Sequence, residues 1–223
     1  MAKKVFITAT GTDIGKTYVS ALIVKEMRKQ NFNCGYFKPV LSGVEIIDNK
    51  LVKSECNYGV DKASIDEKPE NTVSYYWEEA ISPHLASLRA KETINPSKIL
   101  ADLQVLDKKY DYMLIEGAGG ITCPLISNEN QQYLLKDLIK DIDCSVIIIA
   151  DGGLGTINST LLTIDYAKNH NIKIQGVILN NFDAQNFMHQ DNLKQIEILT
   201  KEKVIATVAK NQTKIDLLEQ YFD

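Results

Sequence analysis

Short apolar runs alternate with stretches of helical periodicity along nearly the whole chain. The runs Lys4–Thr8, Asn33–Phe37, Tyr112–Glu116, Ser145–Ala150, Ile174–Asn180 and Lys203–Val208 have the length and residue types of strands. Between them Lys16–Lys29, Pro96–Lys108, Tyr133–Lys140, Thr156–Asn169, Asp191–Lys201 and Thr213–Tyr221 predict helices. In the first of these Val19, Leu22, Ile23 and Met27 fall on one face, and Arg28 and Lys29 suit the negative end of the helix dipole. The runs around Val146 and Val177 are apolar on both faces, as in a parallel sheet covered on each side. The pattern predicts a doubly wound α/β fold, a mostly parallel sheet with helices on both faces. The interval Ser42–Asn95 is polar and weakly periodic apart from Tyr75-Tyr76-Trp77. It reads as an excursion, about residues 43–95, carrying short elements inside one domain spanning 1–223.

Composition narrows the classes. A net charge of −4 over 223 residues gives a nucleic-acid partner no electrostatic support. The longest apolar run, Val146–Ala150, is far too short for a membrane span. Met1-Ala2-Lys3-Lys4 leads straight into a strand and leaves no room for a signal peptide, so a cytoplasmic location is expected. Cys34, Cys56, Cys123 and Cys144 are scattered without a C-x-x-C pair and read as free thiols in a reducing compartment.

The chemistry gathers where predicted strands end. After Val5-Phe6-Ile7 comes Ala9-Thr10-Gly11-Thr12-Asp13-Ile14-Gly15-Lys16-Thr17, a strand, a loop and a helix start ending in Gly-Lys-Thr. Such a loop surrounds phosphates with backbone N–H groups, its lysine reaches the outer phosphates and its threonine can hold Mg²⁺. It departs from the strict phosphate-loop pattern, because Thr10 stands where glycine is required. The second strand ends in Phe37-Lys38-Pro39-Val40-Leu41-Ser42-Gly43, with an ammonium and a hydroxyl four residues apart and Pro39 keeping Lys38 out of helical geometry. Lys38 can stabilise charge developing in phosphoryl transfer. The third strand delivers Glu116 into the glycine-rich turn Gly117-Ala118-Gly119-Gly120. With Thr17, that carboxylate suits Mg²⁺, and Glu55 from the excursion is the candidate for a second. Asp151-Gly152-Gly153-Leu154-Gly155-Thr156-Ile157-Asn158 opens a helix with exposed N–H groups; it reads equally as a carboxylate receptor or as a tight turn. Asn180 and Asn181 could read a base edge, although an Asn pair in a turn is the simpler local reading. His84, in Ser82-Pro83-His84, is the one histidine in suggestive surroundings; His170 and His189 read as surface residues.

The elongated phosphate loop, Lys38-Pro39-Val40 with Ser42-Gly43, Ser82-Pro83-His84 and Glu116-Gly117-Ala118-Gly119-Gly120 occur in an order and spacing that closely resembles the dethiobiotin synthetase family, from the loop to about Lys210. The resemblance implies a homodimeric ATP- and Mg²⁺-dependent ligase that joins 7,8-diaminopelargonate and CO₂, through a carbamate and its mixed anhydride with phosphate, to a cyclic urea. By position it implies that Asp13 to Tyr18 wrap the phosphates and that Lys16 binds the outer ones. Lys38 would neutralise carbamate and transferring phosphoryl, and Thr12 and Ser42 would bond the diamine or its carbamate. Thr17, Glu55 and Glu116 would hold Mg²⁺, with Gly117 to Gly119 beside the nucleotide. Asn180 and Asn181 would meet adenine, covered by Ala209, Lys210 and Asn211. Leu154, Gly155, Thr156 and Asn158 would receive the substrate carboxylate across the dimer interface. Three residues depart from the family pattern: Gly11 and Glu55 stand where Asp is common, and Ala209 where proline is. A cobyrinic-acid-type ligase would need a glutamine-hydrolysing domain with a cysteine nucleophile. A partitioning-type ATPase switch would need a lysine at position 11, which is glycine here.

Overall fold

Alternate residues of the central strands divide the core in two, as expected for a sheet buried on both faces. In the computed structural model, which describes residues 1–47, 50–63, 65–216 and 219–222, the chain runs β1 (Lys3–Ala9), α1 (Lys16–Lys29), β2 (Cys34–Ser42), β3 (Glu45–Ile47), β4 (Lys50–Lys53), α2 (Glu55–Ala63), β5 (Val73–Trp77), α3 (Pro83–Ala90), α4 (Pro96–Asp107), β6 (Tyr112–Glu116), β7 (Pro124–Ser127), β8 (Gln132–Leu134), α5 (Leu135–Ile142), β9 (Ser145–Asp151), α6 (Thr156–Asn169), β10 (Ile174–Asn180), α7 (Phe187–Thr200) and β11 (Val204–Val208). Phe6, Ile115, Ile148 and Leu179 join one cluster with Leu103 of α4, Leu138 of α5, Ile164 of α6 and Ile196 of α7. Their sequence neighbours Ile7, Leu114, Ile149 and Ile178 join the other, with Val19, Ile23 and Met27 of α1 and Val60 of α2. The stripe read on α1 is therefore the one that is buried.

The main sheet has seven strands in the order β11-β10-β9-β1-β6-β2-β5, and every pairing in it is parallel. This is the expected α/β class. Pairing of β2 with β6 stops at Phe37 opposite Ile115, and from Lys38 to Ser42 the strand pairs with β5 instead. Pro39, which has no N–H to give a ladder, sits just past this change of partner. Lys38 and Glu116 are thus the first residues beyond the point where two neighbouring strands part, at the carboxyl ends where such sheets bind ligands.

The short elements of the excursion include the sheet's edge strand β5, whose buried and half-buried residues alternate. Three expectations need correction. Tyr133 belongs to the antiparallel β7–β8 hairpin, so the following helix starts at Leu135, where Asp137 accepts the Leu134 N–H at 2.9 Å. The helix read from Asp191 starts at Phe187, because the Asn186 side chain accepts the Met188 N–H at 3.0 Å and caps it. Residues 213–216 are not helical, and Glu219–Tyr221 is a short 3₁₀ turn; residues 217 and 218, within the same expected helix, lie outside the described residues. Ile215 and Phe222 nonetheless cover the face that α1 and α2 share.

Candidate active site

The phosphate loop is held from both sides by backbone bonds. The Thr10 N–H donates to the Ile149 carbonyl at 3.0 Å, and the Gly117 N–H to the Ile7 carbonyl at 2.9 Å. Asp13 and Gly15 both have left-handed backbones, with φ of 59° and 89°. At Gly15 this conformation favours glycine, and a Cβ there would also lie 2.3 Å from Asn180 Nδ2. A loop with these two left-handed residues at the start of α1 suits the cradling of an anion by backbone N–H groups. Lys16, almost fully buried, folds back so that Nζ donates to the Gly11 carbonyl at 3.3 Å. Burial, and then the neighbouring Lys38 ammonium, lower its pKa.

Beside the loop, three side chains meet on one carboxylate. The fully buried Glu116 accepts from Thr17 Oγ1 at 2.6 Å and from Lys38 Nζ at 2.6 Å on one oxygen, and from the Tyr36 hydroxyl at 2.9 Å on the other. Lys38 also donates to Glu55, whose side chain is 51 % exposed at the start of α2. Burial works against a charged Lys38, but Glu116 and then Glu55 outweigh it and raise the ammonium's pKa. Desolvation works against the Glu55 carboxylate; the Lys38 charge and hydrogen bonds from Lys38 and Thr17 outweigh that and hold it below the usual range. Tyr36 is kept a neutral phenol by burial and by the Glu116 charge, which push its pKa well up.

This cluster forms the floor of a cleft of about 610 Å³. Thr12, Lys16, Thr17, Lys38, Ser42, Glu55, Ala118 and Gly119 line it, together with Ile81, Ser82, Pro83 and Cys123. Burial pushes the Cys123 thiol up to about 11, so it is a neutral wall residue rather than a nucleophile. His84 lies in the first turn of α3, behind the Ser82-Pro83 wall, and among the described residues its buried Nδ1 has no partner.

Asn180 is buried at the end of β10 and gives its amide to the Ile14 carbonyl at 2.8 Å, tying the phosphate loop to that strand. Past it, Asn181, Phe182, Asp183 and Ala184 face Thr207, Ala209, Lys210 and Gln212 across a second hollow of about 760 Å³. The exposed Asn211, with φ of 63°, stands in the turn beside it. The glycine loop after β9 lines neither hollow. Leu154 is 92 % exposed, Gly155 is open and left-handed, Asn158 is exposed, and Thr156 is buried with its hydroxyl 3.4 Å from that of Thr160. The loop is nevertheless shaped: Asn192 donates to the carbonyls of Gly152 and Gly153, both at 2.9 Å.

Sequence reasoning missed Tyr36 and Ile81, and Ser82-Pro83 stood out only as part of the Ser82-Pro83-His84 motif, without a role. Tyr36 carried a usable signal, since it lies two residues before Lys38 on the same strand and period-two spacing points both to one face. Ile81 lies in the loop before α3 and carries no periodic mark.

Fold and site together define a phosphate-loop α/β nucleotide-binding protein. Residues 3–215 match the family model described as an AAA domain. The ATP-dependent dethiobiotin synthetase BioD of Clostridium botulinum (strain Eklund 17B / Type B) is 44 % identical, with 100 % of this chain and 99 % of that one covered. The protein of the same name from Brachyspira hyodysenteriae (strain ATCC 49526 / WA1) is 46 % identical over 97 % of this chain and 96 % of its own. The chain belongs to the AAA domain family and, within it, to the ATP-dependent dethiobiotin synthetases. Among solved structures, a plasmid partition protein from Borrelia burgdorferi aligns with a TM-score of 0.57 at 16 % identity, covering 99 % of this chain and 94 % of its own. The MinC:MinD cell division protein complex of Aquifex aeolicus gives 0.57 at 14 %, covering 94 % and 82 %. At such identities the likeness is one of fold, and the partitioning-type switch has no closer support.

Proposed function

We propose that this chain closes 7,8-diaminopelargonate and CO₂ into the cyclic urea of dethiobiotin at the expense of ATP. The observation that carries this reading is the buried Lys38 ammonium, shared by Glu116 and Glu55 beside Thr17 and opening on the cleft that Ser42 and Thr12 line. One substrate amine adds to CO₂ and loses a proton, giving a carbamate. A carbamate oxygen attacks the γ-phosphorus and ADP leaves; the second amine then attacks the carbamoyl carbon, and phosphate and a proton leave. Positioning and charge neutralisation dominate such phosphoryl transfer. Lys16 would take the outer phosphates, and Lys38 the oxygens shared between carbamate and phosphoryl. Ser42 and Thr12 would hold the diamine.

The donor set fits Mg²⁺: a hydroxyl from Thr17 and carboxylates from Glu55 and Glu116, all hard oxygens converging beside the phosphate loop. Bound there, the ion would supply charge neutralisation at the phosphates. Glu55→Ala is expected to raise the Mg²⁺ concentration for half-maximal rate about five- to tenfold, while stability falls less than in Lys38→Met, because Lys38 keeps Glu116 as its partner. A titration of rate against Mg²⁺, with a melting curve beside it, checks this; an unchanged titration removes Glu55 from the ligand set.

A homodimer accords with exposed Leu154, Leu162 and Phe187 on or beside α6 and α7, the helices flanking the glycine loop. In this reading residues 154–158 serve the partner's cleft. Mixing Lys38→Met protomers with protomers mutated at Thr156 and Asn158 should restore about a quarter of wild-type activity, because each mixed dimer keeps one intact site. No recovery on mixing would place those residues outside a shared site. No helix among the described residues is long and apolar enough to cross a membrane, and the reading is of one cytoplasmic enzyme domain. The reaction itself is tested by ADP release with diamine and bicarbonate omitted in turn: both omissions should abolish it, and release that ignores the diamine would argue for an ATPase switch.

A further inference from the structure

We propose that Gln212 is the positioning residue for the nucleotide base, a staple that shapes the wall of the second hollow and fastens it to the phosphate loop. The inference rests on the reading that this hollow takes the base of ATP. Gln212 Oε1 accepts the Ala209 N–H at 2.9 Å, while the Gln212 N–H returns to the Ala209 carbonyl at 3.1 Å. Its Nε2 donates to the Lys214 carbonyl at 2.6 Å. Its own carbonyl accepts from the Tyr18 hydroxyl, and Tyr18 directly follows the phosphate-loop Thr17. One half-buried side chain and its peptide thus tie positions 209, 212 and 214 to each other and to α1, in a segment whose other tip residues, Lys210 and Asn211, are exposed. Both ends of the carboxamide are engaged, so Gln212 sets the shape of the wall and leaves base contacts to its neighbours. The Ala209 N–H borders the hollow, and the Gln212 side chain fixes its direction.

Gln212→Ala should raise the KM for ATP about tenfold with kcat within about twofold, the size expected for losing two such hydrogen bonds. Inhibition by inorganic tripolyphosphate, which engages the phosphate loop and has no base, should be unchanged. Proline at 209 has no N–H to satisfy, so in an Ala209→Pro background Gln212→Ala should cost less than about threefold. Ala184→Trp, which fills the hollow from the opposite side, tests the underlying reading by raising the ATP KM on its own. If Ala184→Trp leaves ATP unaffected, the base lies elsewhere and the proposal falls with that reading. If Ala184→Trp acts but Gln212→Ala does not, or if Gln212→Ala weakens tripolyphosphate as much as ATP, the staple alone is overturned.

Discussion

Lys38→Met should lower kcat/KM for ATP-driven ring closure by about 10³-fold, the effect expected when a preorganised cation is removed from a phosphoryl-transfer site. It should also cost stability. Glu116 is fully buried and would be left with two hydroxyl donors, Thr17 and Tyr36, and without the ammonium bonded to it. Breaking a buried pair from one side typically costs about 3–5 kcal/mol. The two effects separate in the double variant Lys38→Met, Glu116→Gln, which removes both charges. Denaturant unfolding should recover most of the lost stability there, because the amide keeps the size of the carboxylate and carries no charge, while activity stays lost. If Lys38→Met alone kept near-wild-type activity at a temperature where it stays folded, Lys38 would be a counter-ion for Glu116 and nothing more.

Gly15→Ala is the second large effect. An L-residue in the left-handed region costs about 1–2 kcal/mol. The methyl would in addition meet Asn180 Nδ2 at 2.3 Å. The loop must then open, and ATP affinity should fall about 100-fold or more. Gly15→Ala with Asn180→Ala relieves the contact but not the backbone, and also drops the bond to the Ile14 carbonyl. Only about tenfold of the loss should therefore return. Full recovery, measured by nucleotide titration, would show that the loop tolerates a side chain at 15 and is set by Asn180 alone.

The β-period and helix-period signals made the seven-stranded sheet nearly legible, because a sheet buried on both faces must spend its apolar residues in continuous runs. The strand that escaped, β5, lies at the edge beside a polar excursion, and its alternating Val73, Tyr75 and Trp77 were masked by the half-buried Ser74 and Tyr76 between them. Asn186, whose side chain caps α7, sets the helix start four residues before Asp191. Residues 213–216 show that an apolar spacing can serve as well for a tail laid over a core, through Ile215, as for a helix.

Of the site, Lys16, Thr17, Lys38 and Glu116 were legible because each ends a strand or opens the helix behind one, and this fold brings strand ends together. Glu55 was legible only as the acid that the excursion could offer as a second carboxylate; the structure places its half-exposed carboxylate on Lys38. The bonds of Gln212 could not be read, since a glutamine three residues past Ala209 in an irregular tail has no spacing rule. Nor could the parting of β2 from β6 at Phe37, which depends on β5 being there to take over the pairing.

The most direct measurement supplies [¹³C]bicarbonate, 7,8-diaminopelargonate and Mg·ATP to the purified protein and follows the label together with ADP. The account predicts one labelled carbon in the ring carbonyl of dethiobiotin for each ADP released, and no ADP without the diamine. ADP released without labelled urea, or at the same rate when the diamine is left out, would contradict it.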